Sequence, residues 1–179
     1  NNGLQARKAA AAEQLAIAQD ALEPVCERVA ADDPYESYHD YGYRIIGYLR
    51  DNDLGAQAVY VYLSFDADGM LTDVDYTSQI DSEASPADNL ARAEQDIATL
   101  CAPLNGLDIS VATPDLLTPC SLSDEFKQAF LAGSLYEEIS IKTEDESIKS
   151  YYTFDTEPKE EFDEYTHPEI RLMLSAKKN

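Results

Sequence analysis

Tryptophan is missing from this chain, and several other residues are scarce. There are two histidines, three cysteines and seven glycines, and 13 basic residues face 35 acidic ones for a formal net charge of −22. Each scarcity excludes something. A surface this acidic repels phosphate backbones, which bind by neutralisation with cations, and it repels anionic bilayers for the same reason. Nucleic acid is therefore not an expected partner. With so few glycines, no G-x-G-x-x-G, P-loop or G-x-S-x-G pattern occurs, so no cofactor is expected. The histidines, His39 and His167, sit in no paired zinc-ligand spacing. No apolar run reaches the roughly 18 residues that a membrane span needs.

The cysteines, Cys26, Cys101 and Cys120, form no CxxC pair. In an oxidising compartment two would join. Cys101 with Cys120 is the favoured bridge, because it closes a loop rich in Pro and Thr. The alternative is three reduced thiols packed as small hydrophobes. The chain opens on Asn1-Asn2-Gly3 rather than on Met, which reads as a processed or truncated start. A removed leader, with a lipid-bearing cysteine just before Asn1 as the anchor, is the expectation that follows.

What is present begins with a core. Hydrophobic residues make up 44% of the chain, enough to fold despite the charge. The most informative stretch runs from Ala56 to Ser78. Val59, Val61, Leu63 and Phe65 alternate with Tyr60, Tyr62 and Ser64, the period of a half-buried strand. Asp68-Gly69 supplies a hairpin turn signal. A two-residue loop pairs Leu63 with Val74, Val61 with Tyr76 and Phe65 with Thr72. It sets Tyr62 against Asp75 and Ser64 against Asp73 on the other face. A three-residue loop would instead pair Leu63 with Asp73 and bury carboxylates, costing on the order of several kcal/mol each. An even-numbered loop is the expectation, with the tyrosines turned away from the core.

Around this hairpin the pattern is regular. Leu4 to Ala31 reads as a helix with a stripe of Leu15, Ala18, Leu22, Cys26 and Val29, kinked or restarted at Pro24. Tyr41 to Arg50 reads as a strand, at the end of a tyrosine-rich stretch. Ser85-Pro86 opens a second helix, with Leu90, Ala93, Ile97, Leu100, Cys101 and Leu104 on its inner side. Asp108 to Ala112 is a short strand, and 113–120 a connector between possible halves 1–112 and 121–179 of a single domain. Ser123 caps a third helix, its inner side made by Phe126, Phe130 and Leu131. Strands follow at Tyr136 to Thr143 and Ile148 to Phe154, then an acidic connector from Thr156 to Pro168, then a last strand holding Ile170, Leu172 and Leu174. The order is α-β-β-β-α-β-α-β-β-β. The class is α+β: antiparallel meanders covered on one face by helices. In outline alone this resembles small secreted modules of the cystatin-like or NTF2-like kind, an analogy that implies no function.

Three functional classes compete. The first is a non-enzymatic binding or structural module, secreted or held at a bacterial-type cell envelope. Its surface is Tyr41, Tyr43, Tyr60 and Tyr62 with His39 nearby, since tyrosine joins contact area to a hydrogen-bonding tip. The ligand, protein or small molecule, is not named by any motif. The second is a hydrolase using His39 with a nearby carboxylate. The third is a calcium-stabilised domain. Ser64, Asp66, Asp68, Gly69 and Asp75 fall at EF-hand loop positions, but the flanks alternate as strands where that motif needs helices. Asp66, Asp68 and Asp75 would be its ligands. The absence of a catalytic signature favours the first class.

Overall fold

The computed structural model describes residues 2–25, 27–28, 43–50, 59–113, 115–117, 121–157 and 168–177, with the backbone alone at 2 and 4 and over 27–28 and 43–50. Within them lie α1 (Asn2–Leu22), β1 (Glu27–Arg28), β2 (Tyr43–Arg50), β3 (Val59–Phe65), β4 (Leu71–Gln79), α2 (Pro86–Asn105), α3 (Asp124–Leu131), β5 (Tyr136–Lys142), β6 (Ile148–Asp155) and β7 (Glu169–Ala176). All seven strands form one sheet in the order β1-β2-β3-β4-β7-β6-β5, with every neighbouring pair antiparallel. The class is α+β, as the periodicities predict.

Helix α2 starts where its cap dictates. The Ser85 Oγ accepts from the Asp88 amide at 3.1 Å, and Pro86 fills the first turn, where its missing N–H costs nothing. Ser123 does the same for α3, accepting from the Phe126 amide at 3.2 Å. All six expected inner residues of α2 are buried. In α3, Phe126 and Phe130 are buried and pack on Phe154 of β6, but Leu131 is exposed, contrary to its expected inner place. Lys127 ties α3 to α2 through Glu94, 2.7 Å away.

Helix α1 differs from expectation at its end. It stops at Leu22, two residues before Pro24, and Glu27–Arg28 is a strand rather than a continuing helix. Ala11, Leu15, Ala18 and Leu22 form its buried stripe. The continuation of that stripe to Cys26 and Val29 falls outside the described residues. The strand expected over Asp108 to Ala112 shrinks to a single parallel bridge between Val111 and Leu71.

The β3–β4 hairpin has the expected register over most of its length. Val61 pairs with Tyr76, Tyr62 with Asp75, Leu63 with Val74 and Ser64 with Asp73. The expected pair of Phe65 with Thr72 is replaced by Phe65 with Leu71. The loop is therefore odd-numbered, and a bulge at Thr72 restores the parity. The turn explains this. Asp66 Oδ1 accepts from the amides of Asp68 and Met70 at 2.9 and 3.0 Å, the Gly69 amide donates to the Asp66 carbonyl, and Gly69 sits at φ +78°. A side-chain-capped turn ending in a left-handed glycine is more favourable here than the tighter two-residue loop. Gly69 also lies on α1: a Cβ there would meet the carbonyl carbon and oxygen of Ala10 at 3.0 Å.

The core forms between the helices and one face of the sheet, on Val59, Val61, Leu63, Phe65, Val74, Tyr76, Phe154, Ile170, Leu172 and Leu174. β7, from the end of the chain, slots between β4 and β6, so one sheet joins the two sequence halves.

Candidate functional site: the outer sheet face

The residues alternating with the core positions make three rungs across the opposite face. Tyr60 of β3 stands opposite Thr77 of β4, which stands opposite Arg171 of β7 and then Thr153 of β6. The next rung is Tyr62, Asp75, Met173 and Tyr151. The third is Ser64, Asp73, Ser175 and Lys149. A groove of about 520 Å³ runs over them, lined chiefly by Tyr60, Tyr62, Asp73, Asp75, Arg171 and Met173.

The tyrosines are half-buried and touch edge to face, with ring centroids 5.1 Å apart. That is the arrangement the ring quadrupoles favour. Burial pushes the Tyr60 phenol up to about 12, against a hydrogen bond with Thr77 that works the other way; Glu169 adds to the rise. Arg171 binds the Asp75 carboxylate through Nη2, with Nε 3.4 Å from the second oxygen. Burial alone would lower the Arg171 pKa. The bond and charge of Asp75, with Glu169 beyond it, outweigh that and raise it. Asp73 is also held: Ser175 Oγ donates to one oxygen and Thr72 Oγ1 to the other, each at 2.8 Å. On β6, the Lys149 ammonium lies 4.3 Å from the Tyr151 ring centroid and donates to its hydroxyl at 2.8 Å.

Tyr60 and Tyr62 thus sit together on one face. His39 and Tyr41 lie outside the described residues. Tyr43 begins β2, and the register sets it opposite Phe65, a core position, not opposite Tyr60 or Tyr62. Tyr48 is the residue set opposite Tyr60.

The three carboxylates of the calcium reading have separate partners. Asp66 closes its own turn, Asp68 pairs with Arg7 of α1 at 3.2 Å, and Asp75 binds Arg171. Among the described residues no group of three or more His, Cys, Asp or Glu is placed to share a metal, and no helix is long and apolar enough to cross a membrane. Cys101 is disulfide-bonded, and the Leu117 carbonyl lies 3.8 Å from its sulphur. Cys120, the partner that loop closure favours, lies outside the described residues.

Arg171 and Ser175 are absent from the sequence-derived surface, whereas the hairpin register already set Asp73 and Asp75 on the face of Tyr62. The alternation of Arg171, Met173 and Ser175 with Ile170, Leu172 and Leu174 shows that they share a face. Nothing local shows that this face continues the one bearing Tyr60. Comparison with known proteins finds no family model, no curated protein and no solved structure that matches this chain.

Proposed function

We propose that the chain is a non-enzymatic binding module acting outside the cytoplasm, secreted or held at a bacterial-type cell envelope, with the outer sheet face as its contact surface. The observation that carries this reading is the Tyr60–Tyr62 pair, which walls a groove whose floor is the Asp75–Arg171 ion pair. Rigid aromatic area beside fixed polar groups, carried on strands rather than loops, suits recognition. The groove's carboxylates are held by Thr72, Ser175 and Arg171, so they are placed as acceptors at little further entropic cost. The net charge of −22 favours a neutral polar or cationic ligand over an anionic one. The Cys101 disulfide supports an oxidising compartment.

The test uses immobilised glycans and short cationic peptides, probed by surface plasmon resonance with the wild type and with Tyr60→Ala/Tyr62→Ala. A ligand whose affinity falls on the order of tenfold or more in the variant supports the surface. Equal binding by a variant with an unchanged circular dichroism spectrum overturns it.

A further inference from the structure

Among the described residues β5 is an edge strand of the sheet, and apolar side chains are exposed along it. The large hydrophobic side chains that are exposed among the described residues are Leu131, Leu135, Tyr136 and Ile141, at 51, 55, 56 and 40%. Two lie in β5 and a third directly precedes it. We infer that β5 pairs antiparallel with β5 of a second copy of this chain, about a two-fold axis at Ser140, so that one sheet runs through both.

The backbone restricts the choice of register. The Thr143 amide donates to the Ile148 carbonyl and the Thr156 amide to the Leu135 carbonyl, so the odd-numbered positions of this strand bond inward to β6. In an antiparallel ladder the alternate residues turn their N–H and C=O the other way. Tyr136, Glu138, Ser140 and Lys142 therefore present theirs at this edge. A second β5 must meet even positions with even positions, which leaves only axes centred on a residue.

Side chains select among those axes. Centring on Glu138 sets two carboxylates face to face. Centring on Ile139 puts Glu137 against Ile141. Centring on Ser140 sets Glu138 opposite Lys142 of the second copy, twice by symmetry, and Ile139 opposite Ile141, also twice. The ion pairs fall on the outer face and the isoleucines on the helix-covered face, because Glu138 and Lys142 stand opposite Thr153 and Lys149, while Ile139 and Ile141 stand opposite Tyr152 and Ser150. Among the described residues Lys142 has only a long ion pair of its own, to Glu146 at 3.9 Å. Within its own chain it stands directly opposite another cation, Lys149. Charged residues usually guard an exposed strand from pairing. Here their order makes the edge complementary to itself under the two-fold symmetry that most homodimers adopt.

Sedimentation velocity across the micromolar range tests this. Wild type should show a reversible dimer. Lys142→Glu, which faces Glu138 with a second carboxylate, should weaken it about tenfold or more. Glu138→Lys/Lys142→Glu should restore it. Ser140→Pro removes an outward amide without touching the ladder to β6, and should leave a monomer with an unchanged circular dichroism spectrum. A wild type that is monomeric throughout overturns the inference. So does a dimer indifferent to Lys142→Glu, or a double exchange that fails to recover association.

Discussion

Arg171 does not stand opposite the carboxylate it binds. The register pairs Asp75 with Met173, and the guanidinium reaches diagonally across one rung from its place beside Thr77. The ion pair therefore ties two rungs of the face together across the line from Asp75 to Met173. Both charges are more than half buried.

Arg171→Ala should leave Asp75 without its cation in this setting. A loss of about 1–2 kcal/mol in urea unfolding is expected, between the values typical of exposed and of fully buried pairs. In a cycle with Asp75→Ala, the double variant should lose less than the sum of the singles.

Two glycines separate two causes of strain. Gly133 sits at φ +86° with nothing within 4 Å of the place an added methyl would take, so Gly133→Ala should show only the backbone cost, about 1–2 kcal/mol. Gly69→Ala carries the same backbone cost and drives its Cβ against the Ala10 carbonyl. It should lose at least about 1 kcal/mol more, by displacing α1 from the hairpin. Equal melting temperatures for the two variants would contradict that contact.

Tyr76 is fully buried, its hydroxyl has no hydrogen-bond partner among the described residues, and burial pushes its pKa up. Tyr76→Phe deletes the orphan group and little else. It should be neutral or stabilising by up to about 1 kcal/mol in chemical denaturation.

Tyr60 makes stability sensitive to alkali. Its pKa is raised on folding from 10.0 to about 12, mainly by burial. The sign follows: the contribution is complete below pH 10 and is lost as pH rises through 12. Ultraviolet titration of wild type against Tyr60→Phe should show one tyrosine fewer ionising near the upper end.

Asp145 gives the opposite dependence. Hydrogen bonds from the Ser147 hydroxyl and amide, and from Thr143, lower its pKa from 3.8 to about 2. Its support for the β5–β6 turn is present above pH 3.8 and is lost as pH falls through 2. Carboxyl carbon chemical shifts followed by NMR should place its midpoint near 2 and return it toward 3.8 in Ser147→Ala.

How far the sequence could be read depended on the range of the interaction. Ser85-Pro86 and Ser123 act within one helical turn, and both mark their helices correctly. The alternation of β3 with β4 placed Val61, Leu63 and Val74 inward and Tyr60 and Tyr62 outward, because burying one face is a strong local constraint. The bulge at Thr72 was not legible, since Asp66 capping a backbone turn leaves no trace in the hydrophobic period. Ile141 carries the same alternation as Ile139, yet it is exposed where Ile139 packs against the core; how far along an edge strand the covering layer reaches is a long-range property. The groove was half legible for that reason. Its tyrosines come from a hairpin, while Arg171 arrives from a strand nearly a hundred residues further along.

The meeting of Gly69 with Ala10 is one of main chain against main chain. The first helix is thereby seated at a point where neither side contributes anything beyond Cα. Its outward residues, apart from Arg7 with its pair to Asp68, can change without shifting that seat. One added methyl on the hairpin side would unseat it, so the tolerance of the two partners to change is sharply unequal.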